Sequence, residues 1–356
     1  MQTFKRIAIF LLALITVTYA FEFMIAQPST LKILIKEAEL EEVNTVILGE
    51  SHAETGLNPY ALGKGITVKG QKCEAVSLAH RILPVVDQYY LLKRVTDNNP
   101  NIKQVFFEID PTYWQGKSMY YPGKDASAFP FCSIPDKMDY FKNILIKQNY
   151  NSAFFNYYID KTSLFYVPQN IICKLDPDYI EGNEKAIKKI YKTNGVSFNY
   201  KYVGKGYRQG VKRSGKKRLP KGFKAGAVNG QTLNGFDRIA DLCRKRDINL
   251  VCFISAIPVE RIRDKDENYS AIHNYFDKLC KSKGVDFYDF NYIKTDYLKR
   301  STDYKDFTDC DGHLMANFSK KQTAAFIKAY NSKNYSDMFY KNYNDAVSAV
   351  KGVKLK

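Results

Sequence analysis

Apolar and polar positions along the chain change period several times, and each change marks an element. An unbroken apolar run from Ile7 to Phe21 follows Lys5 and Arg6, and it reaches Ala26 if Glu22 is accommodated near its end. A membrane-spanning helix takes about 20 such residues, a length the longer count attains. Leu31 to Glu42 reads as a short amphipathic helix or linker. The run Val43-Asn44-Thr45-Val46-Ile47-Leu48 has the pattern of a buried strand and stops at Gly49. Helical spacing follows over Ala79–Val95 (Ile82, Val85, Val86, Tyr89, Tyr90, Leu92) and ends near Asn98-Asn99-Pro100. Val105–Ile109 is a second strand, closed by Asp110-Pro111. The same alternation returns later: a helix over Phe236–Arg246, a strand over Leu250–Ile254, a helix over Asn268–Lys283 with Gly284 as its stop, a strand over Val285–Phe290, and a helix over Phe318–Tyr330.

Strands separated by helices of ten or more residues predict an α/β domain whose mostly parallel sheet is covered on both faces. Residues 115–230 break the rhythm. They are rich in Tyr, Phe, Asn, Gly and Lys, carry no clean period, and read as a long insertion. Within them, residues 185–224 hold fourteen Lys or Arg and no Asp or Glu, which accounts for most of the net charge of +17. Such a segment suits an anionic glycan or lipid headgroups, or is a solvated loop. Tyr200, Tyr202, Tyr207 and Phe223 interleave with its charges, as sugar stacking requires.

With Lys5 and Arg6 held in the cytoplasm, the rest of the chain is expected outside it. The division is then an anchor or signal over 1–27, a linker over 28–42, and one domain over 43–356. A cleaved signal peptide ending near Thr18-Tyr19-Ala20 is the competing reading. Export argues against a nucleic-acid partner. The seven cysteines show neither a C-x-x-C pair nor zinc-ligand spacing, and no metal or other cofactor is called for.

Two short blocks carry chemistry. Gly49-Glu50-Ser51-His52 follows the first strand directly, where an open α/β sheet places its sites. A helix starting after Ser51 aims backbone N–H groups at a developing oxyanion; the plainer reading is a turn with a Ser N-cap. Near the other end, Asp309-Cys310-Asp311-Gly312-His313 sets one of only four histidines between carboxylates. An imidazole there suits a general base, because a carboxylate fixes its tautomer.

The segments "VILGESHAETGLNP" and "FTDCDGHLMANFS" resemble the first and last blocks of the SGNH (GDSL-like) hydrolase superfamily. More narrowly, the chain is similar to its membrane-anchored members in polysaccharide pathways: the relatives of the D-alanyl transfer protein of teichoic acid synthesis and of the alginate O-acetylation proteins. The shared order includes "QYYLLKRV", "NPNIKQVFFEIDP", "LNGFDRIADLCRKRDINLVCFISAIP" and "YFDKLCKSKGVDFYDFN", covering roughly residues 43–113 and 229–330. The resemblance implies a three-layer α/β/α fold, with an N-terminal transmembrane helix and the basic insertion added to it. It further implies a serine esterase or O-acetyltransferase acting on a cell-surface polysaccharide, and a multipass membrane acyl-donor partner. Ser51 matches the nucleophile and His313 the base. The family's acid in D-x-x-H falls on Cys310, so the acid is expected at Asp311, with Asp309 as the alternative. Glu50 stands where Asp is usual. The oxyanion and substrate contacts are not fixed by the pattern; Gly49, His52, Ser77, Asn229 and Asn234 are candidates, and Asn234 also suits a helix cap. Two other readings stay open. One is a non-catalytic glycan-binding or assembly subunit with a decayed triad. The other rests on "LGESH", which resembles the Gly-Glu-x-His strand ends of erythromycin-esterase and ChaN-like proteins and makes Glu50 and His52 the site.

Overall fold

The computed structural model describes residues 2–25, 28–81, 83–115, 128–140, 142, 167–193, 199–213, 223–263, 268–300 and 305–350. In chain order the strands are β1 (Thr45–Leu48), β2 (Thr67–Val68), β3 (Gln71–Lys72), β4 (Ala75–Ser77), β5 (Gln104–Glu108), β6 (Tyr200–Gly204), β7 (Tyr207–Gly210), β8 (Asn249–Ile254) and β9 (Asp286–Asp289). The helices are α1 (Gln2–Ile25), α2 (Thr30–Ala38), α3 (Ser51–Gly56), α4 (Pro59–Gly65), α5 (Val85–Asn98), α6 (Ile134–Tyr140), α7 (Val167–Leu175), α8 (Pro177–Ile180), α9 (Lys185–Thr193), α10 (Gly230–Lys245), α11 (Val259–Arg263), α12 (Tyr269–Lys283), α13 (Ala316–Tyr330) and α14 (Tyr343–Val350).

Five strands form one parallel sheet in the order β4-β1-β5-β8-β9. Side chains alternate across it. Val46, Leu48, Val105, Phe107, Leu250, Cys252 and Ile254 enter a core shared with α2, α5, α10 and α12. Ile47, Phe106, Val251, Phe253 and Tyr288 enter a second core with α3, α4 and α13. Burial on both faces is what a parallel sheet demands, and it explains the near-continuous apolar strands in the sequence. The chain leaves β1 for β4 on one side, then crosses back to β5 on the other. The strand order therefore reverses between β1 and β5, and a crevice opens at their carboxyl ends.

Several boundaries differ from the sequence reading. Helix α5 begins at Val85 rather than Ala79, because Pro84 is its N-cap and a proline biases the residue before it away from helical backbone. Helix α10 begins at Gly230, where the Asn229 side chain accepts from the Gln231 N–H at 2.8 Å. Of the two readings of residues 31–42, the amphipathic helix holds and the linker does not: α2 buries Leu31, Ile33, Leu34, Ile35 and Ala38 in the core. Strand β4, three residues long, has no counterpart in the sequence reading. The basic stretch 185–224 holds α9 and a β6–β7 hairpin; its residues 194–198 and 214–222 lie outside the described residues. Gly284 ends α12 in the left-handed conformation, as its place in the sequence implies.

Helix α1 has 24 residues, about 36 Å at 1.5 Å per residue, and its described residues are unburied. By length and composition it is able to cross a membrane. Among the described residues the cysteines form no disulfide, and Cys73, Cys243, Cys252 and Cys280 are buried.

Candidate active site

Strand β1 delivers Gly49 to the crevice with φ +148°, and a Cβ there would lie 2.7 Å from the Cβ atoms of both Ala53 and Glu108. Only glycine lets the chain turn so tightly between β1 and α3. Glu50 is the N-cap of α3 and Ser51 its first residue. The second element arrives from the loop before α13. Asp309 Oδ1 accepts the backbone N–H groups of Asp311 (3.0 Å), Gly312 (3.1 Å) and His313 (3.3 Å). This side-chain turn doubles the loop back on itself, and Gly312 absorbs the reversal at φ +112°. Thr308 N–H donates to the His313 carbonyl at 2.8 Å, and Leu314 N–H reaches Thr55 of α3 at 3.2 Å.

The outcome is a continuous hydrogen-bonded chain. Ser51 Oγ lies 2.8 Å from His313 Nε2, and His313 Nδ1 lies 2.7 Å from Asp309 Oδ2. With Asp309 ionised, Nδ1 carries the proton and Nε2 accepts from the Ser51 hydroxyl. Burial lowers the pKa of His313 below 6.5, the His52 charge adds to that, and Asp309 only partly opposes it. The ring is therefore neutral at pH 7. Burial works against ionisation of Asp309, but its hydrogen bonds from the His313 side chain and backbone, with the His52 charge beyond, hold it well below the usual carboxylate range. A hydroxyl, a neutral imidazole and an ionised carboxylate in line can transfer one proton from the first to the second.

The carboxylate on His313 is Asp309, which corrects the expectation of Asp311. Four residues separate acid and base here, and the turn built on Asp309 Oδ1 with Gly312 closes that distance. The Asp311 carbonyl accepts from Arg261 Nη1 at 2.6 Å. Asn234 is exposed inside α10, and Asn229, not Asn234, caps that helix. Ser77 is buried at the end of β4, with Oγ accepting from Ala79 N–H at 3.3 Å.

The hairpin from the basic insertion reaches this chain. Tyr200 OH lies 2.9 Å from Thr308 Oγ1 and 3.3 Å from Asp309 Oδ2. Arg208 of β7 forms a buried ion pair with Glu54 of α3 and lies over the rings of Tyr191 (5.4 Å) and Tyr200 (5.2 Å). The sequence pattern marks Tyr200 for sugar stacking only, and Arg208 only as one of the basic charges; neither is placed beside the Ser51–His313 pair by it.

His52 occupies a second buried cluster. Its ring stands 4.6 Å from that of His313, edge to face, and Nδ1 lies 3.1 Å from Asp110 Oδ2 and 4.0 Å from Glu108 Oε1. Burial alone would depress its pKa, but the charge and hydrogen bond of Asp110, with Glu108 and Asp309 beyond, raise it to about 9. His52 is thus an imidazolium at neutral pH. Burial raises the pKa of Glu50, and the charge of Asp110 adds to that; burial raises that of Glu108 as well, against the partial opposition of His52, so each favours its neutral form, whereas the charge and hydrogen bond of His52 overcome burial to hold Asp110 low. Among the described residues no hydrogen bond or ion pair joins Glu50 to His52. A pocket opens beside the cluster, lined by His52, Asp110, Thr112, Gln115, Arg261 and Tyr269 among others. Among the described residues no group of three or more His, Cys, Asp or Glu side chains is disposed to hold a metal ion.

No protein-family model matches the chain, and none of the curated proteins matches it.

Proposed function

We propose that the protein is a membrane-anchored serine acyl-ester hydrolase or O-acyltransferase of the SGNH type, working on a cell-surface polysaccharide outside the cytoplasm. The observation that carries this reading is the Ser51–His313–Asp309 chain, with 2.8 Å and 2.7 Å links, at the point where the strand order reverses. Ser51 Oγ attacks the ester carbonyl and His313 Nε2 takes its proton. Asp309 holds the tautomer and stabilises the imidazolium that forms. The tetrahedral oxyanion is met by the Ser51 N–H, one of the first-turn amides that have no intrahelical acceptor. His313 returns the proton to the departing alkoxide, leaving an acyl-serine. Water resolves the acyl-serine in an esterase, a sugar hydroxyl in an acyltransferase.

The His52 imidazolium adds a positive charge beside the nucleophile. It lowers the pKa of His313 and favours the negative charge that develops in the transition state. The pocket at His52 and Arg261 adjoins Ser51 through its chain neighbour His52 and in this reading takes the part of the substrate beyond the ester carbonyl, and α1 with Lys5 and Arg6 at its cytoplasmic end sets the domain outside. Two features weigh against the other sequence readings. The displaced acid that suggested a decayed triad is replaced by Asp309, and His52 is engaged by Asp110 rather than by Glu50.

The test is the pH profile for hydrolysis of an activated acetyl ester. His313 must be neutral, and its folded pKa is lowered, so kcat/KM is expected to reach its plateau as pH rises through a value below 6.5. His52 must be protonated, so kcat/KM is expected to fall as pH rises through about 9. Absence of ester turnover contradicts the proposal. An acid limb set by Glu50, which burial raises above the ordinary carboxylate range, and unaffected by His313→Ala, assigns the chemistry to the Glu50 and His52 reading instead.

A further inference from the structure

Helix α7 faces the wrong way for a helix packed on a water-soluble body. Asn170 is buried, whereas Pro168, Ile172 and Leu175, at helical spacing i, i+4 and i+7, are exposed. Ile172 is 69% exposed and Leu175 59%, and Ile180 at the end of the adjoining α8 is 58% exposed. An amphipathic helix on a soluble domain turns its apolar stripe inward.

Two observations identify what lies against this face. The first is contact with α1: Lys174 Nζ donates to the Phe23 carbonyl at 2.6 Å and lies 5.2 Å over the Phe23 ring. The second is the tether. Helix α1 ends at Ile25, and Ser29 N–H already donates to Tyr179 OH of α8 at 3.2 Å. Four residue steps reach at most about 13 Å. The Tyr179 hydroxyl of α8 therefore lies close to the Ile25 end of α1. Lys32 is held beside the same segment, its Nζ 3.2 Å from the Tyr179 carbonyl, and Lys36 donates to the Glu181 carbonyl. Lys174, Lys32 and Lys36 stand beside the exposed aliphatic side chains, and Lys189 pairs the Asp176 and Asp178 carboxylates of the same segment; lysines bordering an aliphatic face suit the headgroup region.

We propose that Ile172, Leu175 and Ile180 form a lipid-seating face that enters the headgroup–acyl boundary beside the emerging end of α1. The inference rests on α1 spanning the membrane. It fixes the height of the site as well. Glu184, four residues past Ile180, accepts from Tyr202 OH at 2.7 Å, and β6 runs from there to Tyr200 beside Asp309. That path is on the order of 30 Å at full extension, so the seat holds Asp309 no farther than that from the Ile180 end of the lipid face.

The chain has one tryptophan, Trp114, buried in the body. The full-length protein is reconstituted into phosphatidylcholine–phosphatidylglycerol vesicles whose acyl chains carry bromine near the headgroup in one preparation, which reads the α7 positions, and near the bilayer centre in another, which reads Leu11→Trp. Tryptophan emission is compared for wild type, Ile172→Trp, Leu175→Trp and, within α1, Leu11→Trp. The added emission of the two α7 variants is expected to fall roughly twofold or more, since a seated side chain lies about 5–10 Å deep. Quenching at Leu11→Trp without quenching at either α7 position overturns the seat and leaves the anchor standing. No quenching at Leu11→Trp overturns the anchor and the seat with it.

Discussion

Asp309→Asn is expected to lower kcat/KM for ester turnover by about 10³–10⁴-fold, while Asp311→Asn changes it by no more than a few fold. The asymmetry follows from the atoms involved. Asp309 Oδ2 accepts the Nδ1 proton of His313 at 2.7 Å. An amide at that position presents a donor to Nδ1, so the neutral ring shifts its proton to Nε2. Nε2 then faces the Ser51 hydroxyl as a donor and no longer takes its proton. The loop itself survives, because Asn retains the oxygen that binds the N–H groups of Asp311, Gly312 and His313. Asp311 does not hold the Nδ1 proton of His313, which goes to Asp309 Oδ2, and its main-chain carbonyl still accepts from Arg261 after substitution. Steady-state kinetics of the two variants, with circular dichroism to verify folding, makes the comparison. A large loss at Asp311 and a small one at Asp309 would reassign the acid.

Arg208→Met is expected to destabilise the domain by roughly 3–5 kcal/mol, because it strands Glu54 as an uncompensated buried charge. Both side chains are almost fully enclosed, 7% and 2% exposed. Burial lowers the pKa of Arg208 to about 10, and the guanidinium still stays charged at neutral pH. Glu54 stands one turn along the helix that begins at Ser51, and Arg208 belongs to the hairpin that carries Tyr200 to Asp309. The pair ties the insertion to the nucleophile helix, so ester turnover should fall together with stability. The double variant Glu54→Leu with Arg208→Met removes both charges and should recover most of the loss. Denaturant unfolding measures each term. A single-variant cost below about 1 kcal/mol, the range of a solvent-exposed pair, would contradict the buried link.

What the sequence revealed, and what it hid, follows physical lines. The strands β1, β5 and β8 were legible because both faces are buried and their residues are almost all apolar. Ser51 was legible as the residue after a strand-ending glycine, and His313 as an imidazole among carboxylates. The acid was misread because a motif spacing assumes a fixed loop. Asp309 with Gly312 three positions on is a turn signature, and that turn lets a carboxylate four residues away reach Nδ1. The β6–β7 hairpin was obscured by its charge. Tyr200-Lys201-Tyr202 alternates as a strand does, and Lys205-Gly206, with φ of +50° and +75°, is the two-residue turn that joins the strands. The cluster of Glu50, His52, Glu108 and Asp110 could not be read at all, since parallel pairing of β1 with β5 is what brings the two segments together.

The most direct test of the account is covalent. The purified full-length protein is treated with a fluorophosphonate, digested, and the adduct located by peptide mass spectrometry. The account predicts one adduct, on Ser51, forming quickly in wild type, lost in Ser51→Ala and strongly slowed in His313→Ala. A folded wild-type protein that remains unmodified, or an adduct that persists in Ser51→Ala, would contradict it.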